Sequence, residues 1–156
     1  MTVQLIPMKE NEFVEYVEVL IRDYASDNVE AGYGDAADAV ERSRKQTMEL
    51  LPQGVKTPNH HIYAVRDGDQ RIGVIWMRAT LDTVLKTGFI FDITIEESQR
   101  GKGYGKQAML LIEDKAKEMG IHQIGLHVFA KNKVARSLYE KLGYETRSLN
   151  MTKMLT

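Results

Sequence analysis

One stretch restricts this chain more than any other. An apolar run, Phe89-Ile90-Phe91-Asp92-Ile93-Thr94-Ile95, reads as a strand. It is followed by Arg100-Gly101-Lys102-Gly103-Tyr104-Gly105-Lys106 and then by helical periodicity in Met109, Ile112, Ala116 and Met119, closed by Gly120. A strand that passes through glycines and bases into a helix N-terminus is an anion cradle. Glycines let the backbone approach a guest closely, the first N–H groups of the helix lack intrahelical partners, and the helix dipole favours negative charge. Arg100, Lys102 and Lys106 add charge, so a pyrophosphate is the natural guest.

Two familiar phosphate folds do not fit. A Walker A loop needs G-x-x-x-x-G-K-[ST], which is absent. Gly103 to Ala108 matches G-x-G-x-x-A, the dinucleotide fingerprint, but that fold places an acid for the ribose about 20 residues later. The next strand, read over 123–129, holds no Asp or Glu. The region upstream is also antiparallel in pattern. His61 to Val65 and Arg71 to Ala79 are strands of period two around an Asp67-Gly68-Asp69 turn, which makes a hairpin.

The remaining elements complete a mixed α+β arrangement. A short strand covers 2–8. A helix from Asn11 turns Phe13, Val14, Val17, Leu20, Ile21 and Tyr24 inward, and a second runs from Asp35 to Leu51 with Ala36, Ala39, Val40, Met48 and Leu51 inward. The third strand spans 87–96. After the strand at 123–129, Asn132 caps a helix with Ala135, Leu138, Tyr139 and Leu142 on its inner face, ended by Gly143. Residues 144–155 have room for one or two closing strands. At 156 residues, without linker, repeat or low-complexity tract, this reads as a single domain over 1–156.

Composition removes several classes of function. There is no cysteine, so a thiol nucleophile, a disulfide framework and a Cys-ligated metal are excluded. His60 and His61 are adjacent on a strand and point to opposite faces, so they cannot chelate together, and no metal is expected. No apolar run reaches a membrane span and no secretory leader is read, so the expectation is a cytoplasmic protein that needs no membrane. The net charge of −1 conceals a division: residues 10–41 carry −9 and the remainder +8. A nucleic-acid footprint is therefore not expected, whereas an acidic front half and an anion-holding back half are.

The run Arg100 to Gly105 resembles the R/Q-x-x-G-x-G/A signature of the GNAT superfamily of N-acetyltransferases. Asn132-Lys133-Val134-Ala135-Arg136-Ser137-Leu138-Tyr139-Glu140-Lys141-Leu142-Gly143-Tyr144 resembles that family's N-x-x-A-x-x-L-Y-x-K-L-G-F/Y segment, and Met151 to Leu155 is also family-like. The resemblance implies a mainly antiparallel sheet with helices on both faces, parted as a V between two central strands. Residues 60–156 would form the cofactor core and 1–58 the acceptor side. It implies that acetyl-CoA is the co-substrate and that main-chain groups of Ile93, Thr94 and Ile95 pair with its pantetheine arm. Arg100, Gly101, Lys102, Gly103, Tyr104, Gly105 and Lys106 would hold its pyrophosphate, and Asn132 would bond the arm. Tyr139 would lie near the sulfur and return a proton to the thiolate.

Such chemistry also needs a base for the attacking amine. His127, five residues before Asn132 in the strand at 123–129, has a suitable ordinary pKa. Asp92 is an acid in an otherwise apolar strand. Glu96 and a water remain further alternatives. The acceptor is expected to be a primary amine, from a small molecule or a peptide, and the acidic stretch favours a cationic one such as a polyamine or an aminoglycoside-like compound. A homodimer is compatible with this reading. The rival is an acyl-CoA sensor on the same fold that binds without turnover.

Overall fold

The computed structural model describes residues 2–156. Strand β1 (Val3–Pro7) leads into helix α1 (Glu10–Glu30), and a short turn precedes α2 (Ala39–Leu50). Then come β2 (His60–Asp67), β3 (Gln70–Thr80), β4 (Thr87–Ile95), α3 (Tyr104–Glu118), β5 (Gln123–Leu126) and α4 (Lys133–Lys141). The sheet order is β1-β2-β3-β4-β5, antiparallel except for the parallel pair β4 and β5.

Alternation along β2 and β3 builds a core on each face. Ile62, Val74 and Trp76 face α1 and α2, where Met8, Phe13, Tyr16, Leu20 and Leu51 cover them. Tyr63, Val65, Ile75, Met77 and Ile90 face α3, packing on Ala108, Met109, Ile112 and Ala116, with Tyr139 of α4 alongside. Trp76 and Met77 of β3 are both buried, one on each face.

Two features of β4 position the site. Thr87 to Ile90 pair with Gln123 to Leu126, but β4 continues to Ile95 while β5 stops. The upper half of β4 therefore has β3 on one side and no strand on the other. β4 also carries a bulge: Met77 lies opposite Ile90 and Trp76 opposite Asp92, which leaves Phe91 as the extra residue.

Four sequence expectations need correction. α2 starts at Ala39, after a single 3-10 turn over Ala36–Asp38, and its inner face is Ala39, Ser43, Thr47 and then Leu51. Val40 and Met48 are exposed because this face is held by polar bonds: the Ser43 hydroxyl donates to the Ile21 carbonyl at 2.7 Å and Thr47 to the Ser43 carbonyl at 2.8 Å. α1 likewise exposes Val14 and Tyr24 and buries Val17, Ile21 and Ala25. The strand read over 123–129 ends at Leu126, so His127 lies just past it. Residues 145–156 form no strand and are exposed, since the outer edge of β5 carries no paired partner there.

Candidate active site

The glycine loop joins the end of β4 to α3. Gly101 and Gly103 have φ of 78° and 83°, a left-handed conformation that costs other residues energy. Gly103 is the N-cap of α3 and makes no side-chain cap bond. The first intrahelical bond runs from the Gln107 N–H to the Gly103 carbonyl at 3.2 Å. The preceding N–H groups of Tyr104, Gly105 and Lys106 thus have no helical acceptor, and open space surrounds the position of a Cβ at Gly103. Gly105 has a packing role: a Cβ there would stand 3.3 Å from Leu138, so its absence lets α3 close against α4.

The loop is held from below. Arg100 donates through Nε to the Ile95 carbonyl at 2.9 Å, and Lys102 donates to Gln99 at 3.2 Å. Lys106 is exposed. Tyr104 differs from its neighbours, since its ring is buried and its hydroxyl donates to Asp67 at 2.6 Å. That bond ties the start of α3 to the β2–β3 hairpin and leaves only the Tyr104 main chain at the loop surface.

Above the parting, Asp92 projects toward α1. Its carboxylate accepts from the Tyr16 hydroxyl at 2.6 Å and from Thr94 at 2.8 Å. Burial pushes the Asp92 carboxyl up from its ordinary value. The two hydrogen bonds pull it down, and the acids Asp23 and Asp27 push it up further. Tyr16 is raised well above an ordinary phenol by burial and then by Asp92, so it remains a donor. Asp27 is raised by burial, lowered by Lys131 and raised by Asp23. Tyr16, Asp23 and Asp27 are spaced seven and four residues apart on α1, which places them along one helix face.

Tyr139 lies on the α3 side, 9% exposed. Burial first, and then the Asp92 charge, push its hydroxyl up to about 12. The structure thus brings Tyr139 and Asp92 within electrostatic reach of each other across the parting of the sheet.

The other candidates lie elsewhere. Exposed His127 packs edge-on against Phe129 at 4.9 Å, with no bond to Asp92 or Tyr139. It lines a cleft of about 860 Å³ along the outer edge of β5, which Tyr139 also lines but Asp92 and the glycine loop do not. Glu96 pairs with Arg71 at 3.6 Å. Asn132 caps α4, its side-chain oxygen accepting from the Ala135 N–H at 3.4 Å. Ile93, Thr94 and Ile95 form the unpaired upper edge of β4. Within the acidic stretch, Glu30 pairs with Lys131 and Asp38 with Arg42, whereas Asp23 and Asp27 bear on Asp92. Sequence reasoning passed over Tyr16 as a functional residue, although its helical spacing to Asp23 and Asp27 was readable.

The family model described as the Acetyltransferase (GNAT) family matches residues 11–144. The chain belongs to the GNAT acetyltransferase family. Among its relatives is the uncharacterized N-acetyltransferase YycN of Bacillus subtilis (strain 168), 38% identical over 156 residues and covering 99% of this chain and 100% of the relative. The crystal structure of YycN superposes with a TM-score of 0.96 at 36% identity over 99% of each chain. A second Bacillus subtilis (strain 168) protein, the uncharacterized N-acetyltransferase YdgE, is 31% identical over 99% of both chains. The mixed, mostly antiparallel sheet with helices is thus this family's fold, and the parting expected between two central strands lies here between β4 and β5, the last strand of the sheet. No helix among the described residues is long and apolar enough to cross a membrane, and no group of three or more acids or histidines among them is placed to hold a metal.

Proposed function

We propose that this GNAT protein is an acetyl-CoA-dependent N-acetyltransferase that acts on a primary amine, with residues 1–156 as one domain. Residues 1–58 form its acceptor side and 60–156 its cofactor side. The observation that carries the reading is the edge of β4. It loses β5 beyond Ile90, stays unpaired to Ile95, and ends beside a helix N-terminus with free N–H groups. An extended amide-bearing arm fits the edge, and a pyrophosphate fits the N-terminus.

Acetyl-CoA, when bound, supplies a thioester acetyl group. Gly101 and Gly103 let the backbone come close to the pyrophosphate, Arg100, Lys102 and Lys106 supply charge, and the main chain of Ile93 to Ile95 pairs with the arm. Asn132 offers its amide N–H₂, since its oxygen is engaged in the cap. Asp92 takes the proton from the incoming ammonium. It is the better base because burial raises its affinity for a proton and Tyr16 and Thr94 fix its orientation. His127 has neither a partner that orients it nor a place beside Asp92. Backbone N–H groups on the open side of β4 meet the negative charge that develops on the carbonyl oxygen.

Tyr139 stays protonated throughout the working range. An ordinary thiol titrates near 8.5, so complete transfer from a phenol at about 12 is uphill. The contribution of Tyr139 is a hydrogen bond that stabilises the departing sulfur as the C–S bond breaks. Asp92 holds the first proton of the ammonium, and the second proton, lost by the attacking nitrogen as the amide forms, ends on the thiolate to give the free thiol. Asp23 and Asp27 add negative potential at the acceptor side, which favours an amine that arrives as a cation.

The test is incubation with acetyl-CoA and a panel of amines, with free thiol and acetylated product followed together. Stoichiometric release of both is expected. Cofactor binding with no product from any amine would instead indicate a sensor.

A further inference from the structure

Arg78 is a half-buried cation that the acetyl-transfer reading does not use. It sits on β3 on the α1 face, with His60 opposite on β2 and Phe89 opposite on β4. Its guanidinium carbon lies 5.2 Å from the centroid of the Phe91 ring. Its Nε is buried without a hydrogen-bond partner, and among the described residues Arg78 forms no ion pair. A guanidinium that merely supports a fold normally finds a carboxylate or a carbonyl, because a buried donor left unpaired is destabilising. Asp82 is the acid that lines the adjoining recess, and it does not pair with Arg78.

The surroundings of Arg78 are built. Trp76 and Phe91 stack at 4.6 Å, and His60 stacks on Phe91 at 6.0 Å. The indole N–H of Trp76 donates to Nδ1 of His60 at 3.0 Å, so the neutral ring carries its proton on Nε2 and that nitrogen is a donor. Burial and the Arg78 charge keep His60 below its ordinary pKa, and therefore uncharged near neutrality. His60 and Arg78 line one recess of about 590 Å³ together with Pro58, Asn59, Thr80 and Asp82. The Phe91 face holds the guanidinium in place and leaves its fork to a ligand.

We infer that the recess at Arg78 and His60 is an oxyanion-binding site for a carboxylate or phosphate group. The guanidinium offers paired donors to two oxygens and His60 Nε2 a third. Arg78 is two residues along β3 from Trp76, which faces Asp92, a rise of about 7 Å on the same sheet face. The oxyanion therefore has two sources to separate: the acidic end of an acceptor whose amine reaches Asp92, or a free anion.

The only tryptophan in the chain is the one bonded to His60, so its fluorescence reports on the recess. Inorganic phosphate and glutarate, titrated at constant ionic strength with chloride as control, are expected to give a saturable change. Arg78→Met should weaken it at least tenfold, and Arg78→Lys less, because lysine keeps the charge but loses the fork. No saturable change in the wild type, or equal affinity in a folded Arg78→Met protein, overturns the site. Turnover then separates the sources, a comparison that rests on the acetyl-transfer reading. If Arg78→Met raises KM about tenfold for 6-aminohexanoate and leaves 6-aminohexanamide unchanged, the acceptor carries the anion. If both respond alike while phosphate binding is lost, the anion is free. Should neither amine be acetylated, the acceptor reading suffers and the fluorescence titration still decides Arg78.

Discussion

Replacing Asp92 by Asn removes the proposed base and a buried charge in one step. The side chain keeps its shape, an oxygen for the Tyr16 hydroxyl and a polar atom for Thr94. General base catalysis is worth roughly 10²–10⁴-fold, or about 2.7–5.4 kcal/mol of barrier. Turnover should fall by that factor, with acetyl-CoA affinity unchanged. Stability should move the other way. Burial is the largest influence on Asp92 and outweighs its two hydrogen bonds, so the folded-state pKa lies above the ordinary 3.8. The folded state then holds this proton more firmly than the unfolded chain does. The stability that Asp92 contributes is fully present below the unfolded value and is lost as pH rises through the folded one. Asn does not titrate. The melting temperature of Asp92→Asn should therefore match the wild type in acid, exceed it as pH rises through the raised folded-state value of Asp92, and keep a constant margin above that. Thiol release measures the first effect, and thermal unfolding from pH 4 to 8 the second. Wild-type turnover would refute the base. A variant less stable than wild type at pH 8 would refute the account of burial.

Gly103→Asp places a side chain and a like charge in the open space before α3, so acetyl-CoA affinity by calorimetry should drop at least tenfold while the fold persists. Tyr139→Phe keeps the buried ring, and turnover should fall roughly 10- to 100-fold with cofactor affinity nearly constant, because only the hydrogen bond to the departing sulfur is removed. The double change Asp23→Asn with Asp27→Asn should raise KM for a diammonium acceptor more than for a monoamine and flatten its salt dependence, as expected when long-range attraction is lost.

The back half of the fold was legible because its signals are local. The hairpin turn at Gly68, the glycine loop and the Asn132 cap each encode geometry in a few residues, and β2, β3, β4, α3 and α4 lie where period and punctuation put them. The front half was less legible for a physical reason. α2 buries Ser43 and Thr47, whose hydroxyls bond to carbonyls, so a search for apolar faces selects Val40 and Met48, which are exposed. β5 was read, but its end was placed too late, because Gln123 to Phe129 alternates well beyond Leu126 and pattern alone does not reveal where a neighbouring strand turns away. At the site, Asp92 stood out as an acid in an apolar strand, but its partner Tyr16 lies 76 residues earlier, a separation that no local signal bridges.

The bulge at Phe91 links these observations. With strict alternation after Ile90, Asp92 and Thr94 would point into the core formed with Met77 and Met109, and Ile93 and Ile95 would point toward α1. The structure shows the opposite. Phe91 packs with Trp76 on the α1 face, Asp92 reaches Tyr16 and Thr94 on that same face, and Ile93 and Ile95 pack on the α3 side. One inserted residue thus reverses the facing of everything beyond it. It spares Asp92 unpartnered burial in an apolar core and turns it toward the acidic face of α1. A bulge also increases local twist, and this one falls where pairing with β5 ends. The proposed base and the gap beside β4 proposed for the donor therefore arise from the same backbone irregularity. Their separation is set by main-chain geometry, so a substitution that shifts the bulge should impair cofactor binding and turnover together.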